Sequence, residues 1–176
     1  PLFVTRIVAE WLDMTNYDSI NLVGRFLSGI FDLAAIWALY LLAMRLYGRR
    51  VALVAAALSA ATVLPIQLSH FFAVDSFSTF FVVLSFYFLL LAVPIDKPDQ
   101  IVTEANYVYF GLFGFLVGMA GACKVNTLPA LGMIVFAGML YLLMIFKRPK
   151  FWKSFWTIFL GLFLAGLFAF LSFRLF

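Results

Sequence analysis

Charge is scarce in this chain. Lysine, arginine, aspartate and glutamate together make 11% of 176 residues, against about 25% in a soluble globular domain. One cysteine, Cys123, excludes an internal disulfide and a cysteine-based metal cluster, and it reads as a small residue buried between helices. There is one histidine, His70, and no zinc-protease pair, phosphate-binding glycine loop or nucleophile elbow. The formal charge of +4 comes from short clusters at the ends of apolar runs, not from a basic stripe, so nucleic acid is not an expected partner. The first residue is Pro1, no signal peptide is visible, and Phe176 stands inside an apolar run; the chain reads as a piece of a longer one.

What fills the space is hydrocarbon. Apolar residues reach 66%, with 23 phenylalanines, and the mean hydropathy is +1.10. Such a chain belongs in a bilayer, where unpaired backbone groups are not tolerated and helices follow. The expected class is an all-α integral membrane protein: an interfacial N-terminal helix plus about six transmembrane helices. Residues 1–14 carry Leu2, Phe3, Ile7, Val8, Trp11 and Leu12 at helical spacing, too short to span, and are expected to lie at the interface. The spans are expected at 22–46, 51–68, 76–93, 107–123, 128–146 and 155–173. Gly114 and Gly118 form a G-x-x-x-G pair in the fourth, which predicts close helix packing.

Two basic clusters, Arg45/Arg49/Arg50 and Lys147/Arg148/Lys150/Lys153, are separated by four of these spans and fall on one side. The positive-inside rule makes that side cytoplasmic, in an inner or plasma membrane of bacterial type. The turn from Gln67 to Ser76, with His70 and Asp75, then lies on the non-cytoplasmic face, together with Lys124 to Thr127. An ionisable group at the mouth of an apolar run is costly in lipid, so Asp75 is the first candidate for function. Asp75 and His70 could hold a divalent ion or orient an acceptor, and Lys124 with Arg25 could hold a phosphate by charge. The plainer alternatives are a histidine bonded to backbone and a lysine that snorkels to the headgroups. Arg25, Ser28 and Asp32 share one helical face, expected to point into the bundle either as part of a site or as a self-neutralising Arg–Asp pair.

Several stretches taken together resemble a known family. "PLFVTRIVAEWL", the run from Gly24 to Phe81 with its R-x-x-S helix, its small-residue helix and its Asp opening the next helix, and "GMAGACKVNTLPALG" are similar to polyprenol-phosphate-dependent membrane glycosyltransferases. That group includes protein O-mannosyltransferases and lipid A aminoarabinose transferases, with a GT-C-type fold. The resemblance implies a polyprenyl-phosphate sugar as donor, transfer at the outer membrane face with inversion at the sugar carbon, and often a divalent metal. It matches Arg25 and Ser28 to the family's Arg and Ser, Asp75 to its second-loop Asp, and Lys124 to its lysine near the carrier phosphate; in an active transferase Asp75 is then expected to help place the acceptor or metal. His70 stands where an arginine is common and Asp32 where a small residue is usual. The family's acidic base is expected upstream of Pro1. Two other readings stand beside it: a non-catalytic transmembrane subunit of a larger complex, for example respiratory or photosynthetic, and a transporter using Asp32. No broken-helix pair recurs in two halves, which weakens the second.

Overall fold

The computed structural model describes residues 2–96, 102–146 and 151–175, and among them every regular element is helical. In chain order these are α1 (Leu2–Trp11), α2 (Tyr17–Tyr47), α3 (Arg49–Ala60), α4 (Val63–Ser69), α5 (Val74–Ala92), α6 (Tyr107–Cys123), α7 (Leu131–Ile145) and α8 (Phe151–Leu175), with 3-10 turns at Glu104–Asn106 and Val125–Ala130. Ser19–Tyr47, Val74–Ala92, Val125–Ile145 and Phe151–Leu175 are long and apolar enough to cross a membrane. The chain is an all-α integral membrane protein. Lys147, Arg148 and Lys150 of the second basic cluster lie outside the described residues, as do Pro1 and Phe176.

Helix α6 is shorter, at 17 residues, about 25 Å long. It packs between α5 and α8 and is apolar all round, as a helix shielded on both sides should be. Its glycines set how closely α8 approaches. A Cβ at Gly114 would fall on the Ala165 carbonyl, and one at Gly118 on Ser172 and the Ala169 carbonyl. Gly161 on α8 returns the fit by admitting the Phe110 ring. The paired positions rise together along both helices, so α6 and α8 run parallel, and α7 is the antiparallel return that joins them in sequence. Ser172 Oγ donates across the contact to the Phe115 carbonyl at 3.0 Å.

Residues 51–68, expected as one span, are not one helix. Pro65 lacks an N–H, and its ring would clash with the carbonyl of Ala61 in a continuous helix. The chain therefore stops at Ala60 and restarts at Val63, which puts Pro65 in the first turn of α4, where no intrahelical N–H bond is needed. The pair α3 and α4 still retraces α2. It leaves Gly48, whose φ of +85° ends α2, and arrives at Phe72, whose ring fills the notch of Gly24. The other bounds shift modestly: α8 starts four residues earlier than expected, and the fifth run opens as a 3-10 turn around Pro129.

At the end where Arg45 lies, α5 stops before Pro94, and each of its last four carbonyls finds a donor. Val93 N donates to Leu89 O at 2.8 Å, Arg45 Nη2 to Leu90 O at 3.0 Å, and Asn106 Nδ2 to Leu91 O at 2.9 Å and Ala92 O at 3.3 Å. Arg45 also reaches Asp96 at 3.2 Å, and Val102 N donates to the Tyr141 hydroxyl at 3.3 Å. Arg49, Arg50 and Lys153 sit at this same end. Gly118→Leu is expected to destabilise the protein by about 1–3 kcal/mol or more, because the neighbour it meets is backbone that cannot yield. Gly132→Ala, whose Cβ meets nothing within 4 Å, should be neutral; thermal unfolding in detergent compares the two.

Candidate functional site

The opposite end gathers the polar residues that the spans do not need. Asp75 is in the first turn of α5, and Lys124 directly follows the last turn of α6. These helices are antiparallel, so the positive end of one dipole and the negative end of the other lie side by side, each favouring the charge placed on it. Lys124 Nζ and Asp75 Oδ1 form a hydrogen-bonded ion pair, with side chains 46% and 36% exposed.

Local structure fixes both. Phe77, two residues after Asp75, is fully buried against Phe31 and Phe72 in a cluster with Val23, Leu27 and Ala9 of α1 and α2. Its anchorage turns Asp75 outward. Phe72 takes a φ of +51° to make the turn into α5. On the other side Lys124 N donates to Ala120 O at 2.8 Å, and Thr127 donates to the Lys124 carbonyl through Oγ1 at 2.8 Å and N at 3.0 Å.

Around the pair opens a groove of about 370 Å³, bordered by Asp75, Ser78, Thr79, Lys124, Asn126 and Thr127 over an apolar floor of Val82 and Val83. The uncapped first turn of α5 faces the same end. Ser78 and Thr79 follow Asp75 by three and four positions, one helical face, and Asn126 and Thr127 belong to the turn that carries Lys124. That spacing was visible in the sequence, yet none of the four was a candidate there.

The remaining candidates stand elsewhere. His70 donates Nδ1–H to the Ile66 carbonyl of its own helix at 2.7 Å, the plainer of its two expected roles, and is not on the groove wall. Arg25 is exposed and makes no ion pair among the described residues, so the polar stripe of α2 does not point inward as a whole. Only Ser28 is fully buried, with its hydroxyl unpartnered, while Asp32 is half-buried and unpaired with Arg25. Among the described residues no three of His, Cys, Asp and Glu converge as metal ligands. His70 lies off the groove wall, so the group beside Asp75 is the Lys124 ammonium, and among the described residues no metal-ligand set forms there.

A family model for dolichyl-phosphate-mannose-protein mannosyltransferases matches residues 14–173. The chain belongs to this family. No curated protein and no solved structure matches it. Membership in the mannosyltransferase family makes it a membrane glycosyltransferase-like protein, and the match runs through both halves of the Asp75–Lys124 pair. An exposed pair of this kind stabilises a fold by no more than about 1 kcal/mol. Asp75→Asn and Lys124→Ala are therefore expected to unfold within a few degrees of the parent, about 4 °C at most by the usual size scaling. Circular dichroism on heating checks this.

Proposed function

We propose that this chain takes part in sugar transfer from a polyprenyl-phosphate donor at the membrane face where Asp75 and Lys124 lie, the non-cytoplasmic one. The observation that carries the proposal is the exposed ion pair at the rim of a groove whose floor is apolar. A lipid-linked phosphate presents an anion just above a hydrocarbon tail, and the groove offers the complement of both. The donor phosphate competes with the Asp75 carboxylate for Lys124. When it docks, Lys124, the open N–H groups of α5 and the Asn126 side-chain amide are the available donors.

The chemistry then depends on charge. As the bond between the sugar carbon and the phosphate oxygen breaks, negative charge gathers on the leaving phosphate. Lys124, held at the end of α6, stabilises that charge without rearrangement, the condition under which such electrostatic help is largest. Asp75, released from Lys124, accepts a hydrogen bond from the incoming acceptor hydroxyl and so orients it; the hydroxyl oxygen bonds to the sugar carbon as the phosphate leaves, and its proton passes to the acidic base that the family resemblance expects upstream of Pro1. Arg25 and His70 lie off the groove and are assigned no step.

In the full-length protein reconstituted with a labelled polyprenyl-phosphate sugar, Lys124→Ala is expected to lower transfer about 100-fold or more, the usual cost of removing one transition-state donor. Asp75→Asn should raise the apparent KM for the acceptor as well as lower the rate. Transfer unchanged in both variants would overturn the proposal. It would favour the scaffold-subunit reading, in which the protein co-purifies with a fixed set of other membrane subunits.

A further inference from the structure

A second opening lies at the far end of the molecule from Asp75 and Lys124. A fissure of about 270 Å³ runs between α2, α5 and α7. Leu42 and Leu46 wall it on α2, Leu90 on α5, and Met133, Phe136 and Leu140 on α7, with no polar side chain in the lining. It arises because α7 leans on α8 and on the Val125–Ala130 turn, leaving the sides of α2 and α5 uncovered. From Met133 to Leu140 it extends about 10 Å along the helix axis. At this depth in a bilayer an apolar fissure stays dry. A hydrocarbon chain in it would restore the dispersion contacts that an empty wall lacks.

The end of the molecule where the fissure opens carries charge. Arg45 and Asp96 are paired beside it, with side chains 16% and 9% exposed, and Arg45 holds the carbonyl of the wall residue Leu90. The Asp96 charge is thereby neutralised. Arg49 and Arg50, three and four residues beyond Leu46, stay exposed and form no ion pair among the described residues. They occupy the first turn of α3, which has no acidic residue and no side-chain cap. Two cations at the positive end of a helix repel that end, and an anion relieves both.

We propose that the fissure holds one acyl chain of an anionic glycerophospholipid, with its phosphate against Arg49, Arg50 and the first turn of α3. This lipid comes from the leaflet at the Arg45 end, opposite the sugar-transfer groove. It acts as a wedge that keeps α7 in register with α2 and α5. The assignment does not depend on which sugar is transferred, or on whether any is.

Native mass spectrometry of the full-length protein, stripped of lipid and titrated with phosphatidylglycerol or phosphatidylcholine, tests it. One phosphatidylglycerol should be retained, with a preference over phosphatidylcholine of about tenfold or more, the order set by two arginines at an anionic surface. Leu46→Trp combined with Met133→Trp fills the fissure and should abolish retention, whereas Val135→Trp, exposed on α7 and outside the fissure, should not. Arg49→Gln with Arg50→Gln, both at exposed positions, should bring the two lipids to near parity. An unchanged lipid count in the tryptophan pair, equal binding of both lipids by the parent, or displacement by a polyprenyl phosphate would overturn the assignment.

Discussion

The backbone contact between α6 and α8 is the constraint on which the rest of the fold depends. In lipid the apolar effect does not drive helices together, since acyl chains are as apolar as leucine; close packing and hydrogen bonds do it. Gly114 and Gly118 let α6 reach the carbonyls of Ala165 and Ala169, and Ser172 adds a hydrogen bond across the contact. With α8 on one flank and α5 on the other, α6 is held without needing the length of its neighbours. Its C-terminal end is then fixed against the N-terminal end of α5. Lys124 and Asp75 meet because two buried helix faces leave their ends nowhere else to go.

Much of this was legible in the residues. Composition and run length gave the membrane class and most of the helices, and the G-x-x-x-G pair marked the α6 face that packs. Asp75 and Lys124 were visible as ionisable groups bordering apolar runs on one side. The break at Ala61 leaves no mark in hydropathy, which continues smoothly through it. Only the steric demand of Pro65 on the carbonyl four residues earlier reveals it. His70 and Arg25 were drawn to the site by residue type and by sidedness, which place a residue at an end of the bundle but not at a point on its rim. His70 satisfies its own helix, and Arg25 lies on the outer face of α2. Conversely, Ser78, Thr79, Asn126 and Thr127 carry no charge and so gave no signal until their spacing from Asp75 and Lys124 was read in three dimensions.

Asn106 shows the same limit from the structural side. Nothing in its neighbourhood marks it as special, yet it closes two of the four open carbonyls at the end of α5. Bilayer depth makes such groups expensive to leave unpaired, so the polar residues that a membrane helix keeps near its ends are often there for the backbone of another helix. Residue type alone does not separate that duty from catalysis.

Burial does separate them for the two long-range ion pairs among the described residues. Arg45 and Asp96 are nearly enclosed and are joined to a helix-terminal carbonyl; removing one partner would strand a charge, so the pair is committed to the fold. Asp75 and Lys124 stand at the rim with about two fifths of each side chain in contact with solvent. Water already screens them, so little stability is lost when they part. A pair that can open at small cost, placed over an apolar floor and between two complementary helix ends, is what the proposed exchange of its internal anion for one brought by a lipid requires. The same contact that would be a poor strut is for that reason free to open.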